Sequence, residues 1–108
     1  MSHRYREELA GGLDRLLRSL SGVRRGVMFG HPAFFAGRRM FACVYGDGVA
    51  VRLRRDDACG TAASVREFQP NGRTMADWVL LVYEDDSAVA RDRHLFERAI
   101  EILHARLQ

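Results

Sequence analysis

The chain has 108 residues, of which 47% are hydrophobic and 29% are charged, as is typical of one soluble domain with a modest core. No apolar run approaches the roughly 18 residues that a membrane-spanning helix needs, and residues 1–8 lack the hydrophobic segment of a signal peptide. We therefore expect a single domain over residues 1–108, located in the cytoplasm and without membrane attachment.

The net charge of +3 is unevenly distributed along the chain. Residues 24–73 contain nine arginines and four acidic residues, giving +5, whereas residues 74–108 contain four arginines and seven acidic residues, giving −3. All 17 basic residues are arginine, whose planar side chain makes bidentate contacts with phosphate or carboxylate. A strongly GC-rich coding sequence would produce the same bias without any function.

Residues 3–20 have the pattern of an amphipathic helix, which ends at Ser21-Gly22. Its apolar residues recur at the 3.6-residue period of one helix face. This stripe consists of Tyr5, Leu9, Leu13, Leu16, Leu17 and Leu20.

Residues 28–53 predict a three-stranded antiparallel meander, because apolar runs alternate with glycine-marked breaks. The first strand begins near Arg24, passes a kink at Gly30 and continues to Phe35. The second strand covers residues 39–45 and the third covers residues 49–53.

After residue 55, the sequence no longer has the strand pattern of residues 28–53. Asp56 or Asp57 caps a predicted short helix over residues 58–65. A short edge strand at 66–69 and a buried strand at 78–83 follow, and a final helix covers residues 91–107.

The predicted order α-β-β-β-α-β-β-α indicates an α+β fold with two layers, in which helices cover one face of an antiparallel five-stranded sheet. The other face must then be wet or covered by a second subunit. Aromatic residues on adjacent strands supply side chains for that face, and a homodimer pairing through the sheet would bury them. These residues are Phe34, Phe35, Phe41 and Tyr45.

Candidate catalytic and metal-binding residues are few. His31 and Cys43 could form a nucleophile pair across the sheet, but Cys43 lies in the most apolar strand, where a thiolate is disfavoured. A zinc site built from His31, Cys43, Cys59 and His94 has no recognised spacing, and no disulfide between the two cysteines is expected in a reducing compartment. We therefore expect no catalytic, cofactor or metal site, and no enzyme.

Arginines on the predicted strands and turns are candidates for contact with nucleic acid or with a partner protein. Turns place arginines where they reach phosphates, and neighbouring aromatic rings can stack on bases. Arginines also commonly occupy wet strand faces and only keep a fold soluble, and no helix-turn-helix or RNP pattern is present. The candidates are Arg38, Arg39, Arg52, Arg54 and Arg73.

Several short motifs resemble the TfoX N-terminal domain family, which contains TfoX/Sxy-like proteins. They are Met28-Phe29-Gly30, a hairpin of the Gly-Arg-x-Met-Phe-Ala type from Gly37 to Ala42, a strand ending Val51-Arg52-Leu53, and a Gly72-Arg73-x-Met stretch before Trp78. Arg52 takes the place of the usual lysine. The motif residues with an expected structural role are Met28, Phe29, Gly30, Gly37, Met40, Phe41, Gly72 and Trp78.

This resemblance implies an α+β domain with an antiparallel sheet, no catalytic residues, and a regulatory role around DNA-uptake competence in bacteria, acting on transcription. Three hypotheses about function follow. The first is a non-enzymatic regulatory or adaptor domain, a homodimer that acts through protein contacts. The second is a direct nucleic-acid binder, and the third is a small enzyme or ligand carrier that uses a pocket on the uncovered sheet face.

Overall fold

A computed structural model describes residues 5–106 and shows an α+β fold. Its two α-helices are α1 (Glu7–Arg18) and α2 (Arg93–Arg106). Its six strands are β1 (Val23–Met28), β2 (His31–Ala36), β3 (Arg39–Tyr45), β4 (Gly48–Val51), β5 (Ser64–Glu67) and β6 (Val79–Val82). All neighbouring strands are antiparallel, and their order across the sheet is β1-β2-β3-β4-β6-β5.

Both helices pack on the same face of the sheet. The apolar stripe of α1 is buried there, as the 3.6-residue period predicts, although residues 3 and 4 of the predicted helix lie outside the described residues. The helices contribute Leu9, Leu13, Leu17, Leu95, Phe96, Ala99 and Leu103 to this core. No helix in the described range is long and apolar enough to cross a membrane.

The five-strand prediction is wrong, because the predicted first strand is a hairpin of two strands. The chain reverses at Phe29 and Gly30, whose φ angles are 50° and 81°. Two consecutive positive φ values are typical of the type I′ turn, whose twist matches that of the flanking strands. Met28 therefore pairs with His31, and β1 and β2 lie side by side.

The predicted helix over residues 58–65 is also absent. A single 3₁₀ turn forms at Arg55–Ala58, and Cys59 then returns to extended backbone. Gly60 follows with a φ of 73°, a left-handed conformation that ends the turn. The strand that was predicted at 66–69 begins earlier, as β5, and the buried strand and final helix form β6 and α2.

The second face of the sheet, away from the helices, carries a smaller apolar cluster. A register shift between Phe34 and Phe35 leaves Phe41 without a partner on β2, and this bulge brings Met40 to the same face as Cys43. The cluster consists of Ala33, Cys43, Ala50, Phe68 and Trp78, with Met28, Phe35, Met40, Tyr45 and Leu80 packed against it.

Residues 68–78, between β5 and β6, fold back over this second face and are called the covering segment below. The Met75 N–H donates to the Phe68 carbonyl at 3.0 Å and closes the segment on itself. The Tyr45 hydroxyl on β3 donates to the Pro70 carbonyl at 3.1 Å and ties the segment to the sheet. The second face is thus partly covered by its own chain, and only Phe35 and Tyr45 of the four predicted aromatic residues lie on it.

Candidate binding groove

A groove with a volume of about 810 Å³ lies between the covering segment and the second face of the sheet. Its lining comes from the β1–β2 hairpin, from β3 and from the covering segment. The eleven lining residues are Met28, Phe29, His31, Met40, Cys43, Tyr45, Phe68, Pro70, Asn71, Met75 and Trp78. The volume falls in the range of small-molecule sites.

A row of stacked rings forms one wall of the groove. His31 stacks on Tyr45 with ring centroids 4.9 Å apart, and Tyr45 meets Phe68 edge to face at 5.3 Å. Phe68 then contacts Trp78 at 5.9 Å. Because each ring restricts the rotation of the next, this wall is formed before any ligand binds.

Methionines supply much of the remaining lining. The chain has four methionines, and Met28, Met40 and Met75 all line the groove. The thioether side chain is flexible and polarizable, so a methionine-rich surface adapts to apolar groups of different shape. The groove thus combines a fixed aromatic wall with an adaptable surface.

The polar groups of the groove are few. His31 Nδ1 lies 3.1 Å from the Phe29 carbonyl oxygen, and because a carbonyl only accepts, Nδ1 carries the proton and donates it. No lining residue is Asp, Glu, Lys or Arg. The arrangement favours apolar groups with few hydrogen-bonding partners.

The structure brings His31 and Cys43 into the same groove without making them a nucleophile pair. Cys43 is only 5% exposed, and burial raises the pKa of its thiol to about 11. His31 instead donates to a backbone carbonyl and stacks on Tyr45. A thiolate is therefore disfavoured at Cys43 near neutral pH.

The four residues that were considered for zinc lie at two different places, His31 and Cys43 in the groove and Cys59 and His94 elsewhere. His94 and Cys59 lie together at a shallow surface site beside α2, and the exposed Cys59 thiol donates to the Asp56 carbonyl at 3.0 Å. Within residues 5–106, no group of three or more His, Cys, Asp or Glu side chains is arranged to hold a metal ion. Both cysteines are free thiols.

The candidate arginines lie outside the groove lining. Strand register places Arg38, Arg39 and Arg52 at the same end of the sheet, because Arg39 begins β3 and Arg52 N–H donates to the Phe41 carbonyl at 2.9 Å. Arg52 Nε is buried without a hydrogen-bond partner among the described residues. Arg54 is 3.3 Å from the Asp77 carboxylate, which neutralises its charge.

Arg73 is exposed in the covering segment, apart from the other four candidates in sequence. Within the described part of the chain, Arg38, Arg39 and Arg73 make no ion pair. The five candidates are thus distributed over a hairpin turn, the ends of two strands and the covering segment, and they do not form one continuous strand surface.

Four of the eight motif residues, Met28, Phe29, Met40 and Trp78, line the groove although they are far apart in sequence. Three motif glycines, Gly30, Gly37 and Gly72, have φ angles between 64° and 81° and allow turns. The eighth, Phe41, is fully buried in the helix-side core.

Sequence reasoning expected a pocket on the uncovered sheet face only in the third hypothesis, and it missed the covering segment and the roles of His31, Phe68 and Met75 in the lining. The one local signal was the turn sequence from Pro70 to Gly72 between Phe68 and Trp78, because aromatic residues that flank a turn outside a regular element often cover apolar surface.

Fold and groove together define a small α+β domain with an apolar groove on the helix-free face of its sheet. Searches among protein-family models, curated proteins and solved structures find no match to the chain.

Proposed function

We propose that this chain is a non-enzymatic regulatory or adaptor domain of the TfoX N-terminal type, which binds a partner protein through the groove. The observation that carries this proposal is that Met28, Phe29, Met40 and Trp78, four residues of the family-like motifs, line one groove. A cytoplasmic location and a role in transcriptional control of DNA-uptake competence belong to the same proposal and rest on the sequence resemblance alone.

The contents of the groove favour binding over catalysis. Its cysteine is buried and has a raised pKa, and its histidine is held by a backbone carbonyl and an aromatic ring. Covalent catalysis by a cysteine requires a thiol that is activated by a neighbouring base or by a lowered pKa. The groove instead offers aromatic and thioether surface, which recognises apolar side chains.

The charges around the groove indicate the chemistry of the partner. Arg24 and Arg66 pair with Phe35 and Leu80, which belong to the second face, so register places both arginines on that face. Neither they nor Arg73 makes an ion pair within residues 5–106. The fitting partner is a protein segment with an apolar side chain next to carboxylates, since a second copy of this face would oppose like charges.

Binding of an apolar dye tests the groove. N-phenyl-1-naphthylamine, a neutral aromatic amine, accepts energy from tryptophan, and Trp78 is the only tryptophan of the chain. Met75→Glu places a carboxylate at the rim of the groove, in a segment that contains no regular element, and we expect the affinity for the dye to fall about tenfold or more. Val27→Glu is the matched control, because Val27 is 71% exposed and lies outside the lining.

Equal affinities of wild type and Met75→Glu would contradict the proposal. The sulfonated analogue of the dye, 1-anilinonaphthalene-8-sulfonate, tests the charge argument. It should bind more tightly than the neutral dye at low salt, and the difference should disappear at high salt.

A photo-crosslinking amino acid at position 75 tests for a protein partner. We expect one discrete cross-linked product in cells, which is lost when Met40→Glu is added and is not formed from position 27. The same products from both positions would argue against a partner at the groove.

A homodimer and direct nucleic-acid binding stay predictions. A homodimer that pairs through the sheet should give twice 12.3 kDa in light scattering, whereas 12.3 kDa at high concentration would contradict it. The exposed Arg38 and Arg39 are the contacts for nucleic acid. If DNA or RNA binding and its salt dependence are unchanged in Arg38→Ala/Arg39→Ala, this alternative loses its contact site.

A further inference from the structure

Phe29 has a backbone conformation that does not suit its side chain. Its φ of 50° is the only positive value of a non-glycine residue in the described part of the chain. The first loop position of a type I′ turn is usually Asn, Asp or Gly, because Cβ crowds the following carbonyl in the left-handed region. Phenylalanine therefore destabilises this turn relative to asparagine.

The Phe29 side chain contributes little to the stability of the fold. It is 86% exposed, the highest value of the three large hydrophobic residues that are exposed in the described structure. A phenylalanine in water loses the burial that normally stabilises it. Strain and exposure both lower the stability of this hairpin, so stability does not explain why a phenylalanine occupies position 29.

The position of Phe29 offers an explanation. Phe29 is one of the lining residues, at the tip of the β1–β2 hairpin, and its carbonyl oxygen accepts the hydrogen bond from His31 Nδ1. His31 in turn stacks on Tyr45 in the aromatic wall. The backbone of the turn is thus tied to the wall, and the exposed Phe29 lies at the edge of the groove.

Met75 lies on the covering segment, also in the lining, and is 39% exposed. The hairpin tip and the covering segment therefore each present an exposed apolar side chain at the groove. Exposed aromatic side chains on rigid turns are typical anchors of binding sites, since they bury a large area at a low cost in entropy.

We propose that Phe29 is a binding anchor, retained at the expense of hairpin stability to contact the apolar side chain of the segment that enters the groove. This inference rests on the proposed function of the groove and assigns the contact to one residue. Backbone strain at a binding site is a recurrent way of holding a contact residue in position.

The test is the substitution Phe29→Asn, which gives the turn its preferred Asn-Gly sequence. We expect Tm to rise by about 4 °C, as relief of this strain predicts for a domain of this size. We expect the affinity for N-phenyl-1-naphthylamine to fall at least fivefold. The control is Arg38→Asn in the β2–β3 turn, which is exposed and outside the groove lining, and which should leave dye affinity unchanged.

A fall in both Tm and dye affinity in Phe29→Asn would overturn the proposal, because it would show that Phe29 acts through the fold. Unchanged dye affinity in Phe29→Asn would also overturn it. If Met75→Glu still weakens dye binding in that case, the groove remains a binding site and only the anchor role of Phe29 is contradicted. If neither substitution weakens binding, the proposed function fails as well.

Discussion

Asp92 is the one charged side chain that is fully buried within residues 5–106. Its carboxylate accepts hydrogen bonds from the Tyr83 hydroxyl at 2.7 Å, from the Ala62 N–H at 2.9 Å and from the Thr61 hydroxyl. It also lies directly before α2, where the helix dipole favours a negative charge. One side chain thus joins the loop before β5, the end of β6 and the start of α2.

Burial and the neighbouring Asp92 carboxylate raise the pKa of Tyr83 far above its usual value. The Tyr83 hydroxyl therefore keeps its proton in the folded protein and remains the donor to Asp92. The Tyr83 side of this hydrogen bond is thus held in the donor state.

Asp92→Ala should be strongly destabilising, because it leaves the buried Tyr83 hydroxyl and the partly buried Thr61 hydroxyl and Ala62 N–H without their acceptor. Each unsatisfied buried donor costs about 1–3 kcal/mol, so we expect a loss of about 3 kcal/mol or more in the free energy of unfolding. Denaturant unfolding followed by circular dichroism measures it.

Asp86→Ala is the matched control. Asp86 forms an exposed ion pair with Arg15 at 3.0 Å, and such pairs contribute below about 1 kcal/mol. Similar losses in the two variants would show that the buried hydrogen bonds of Asp92 are not a special source of stability.

At the scale of elements, the sheet depends on a close approach between β4 and β6. Gly48 pairs with Val82, and a Cβ atom at Gly48 would lie 2.3 Å from the Leu81 carbonyl oxygen. Such a contact is impossible without moving backbone, and both strands lie inside the sheet rather than at its edge. Glycine is required here by packing.

Gly48→Ala should therefore cost several kcal/mol, because either the β4–β6 pairing or the strand geometry must change, and overpacked sites typically lose about 1–3 kcal/mol or more. Gly60→Ala is the control: its φ is 73° but nothing lies within 4 Å of the added Cβ. The control should lose only the conformational strain, about 1 kcal/mol. Equal losses in thermal unfolding would contradict the packing argument.

Elements with a strong local period were predictable from the sequence. The stripe from Leu9 to Leu17 reflects burial on one helix face, so pattern and structure agree. The β1–β2 turn was missed because Phe29 occupies a position that usually holds Asn, Asp or Gly. The residue that obscured the turn is also one of the residues that line the groove.

At the scale of the whole molecule, the two faces of the sheet have different roles. The helix face holds the main core, with Leu13, Phe96 and Leu103 fully buried. The other face carries the smaller cluster, which the covering segment only partly closes. Stability therefore comes mainly from the helix face, and the other face carries the groove for which we propose a binding role.

The groove could not be predicted from the sequence in the way the helices could. It is formed by the hairpin near residue 29, by β3 and by the covering segment, and no local period relates these three parts. The β3 bulge that brings Met40 beside Cys43 also breaks the alternation from which a strand face is inferred. Half of the family-like motif residues line the groove, but the motifs alone did not indicate this. It became apparent only from the fold.

Methionine methyl NMR tests the binding groove most directly. With ¹³C-labelled methionine and leucine methyl groups, adding N-phenyl-1-naphthylamine should shift the signals of Met28, Met40 and Met75 together, because all three line the groove. The shifts should saturate at one common dye concentration, while the methyl signals of Leu13 and Leu103 in the helix-side core stay in place. Unchanged methionine signals, or larger shifts in the helix-side core, would show that the second face of the sheet is not a binding site.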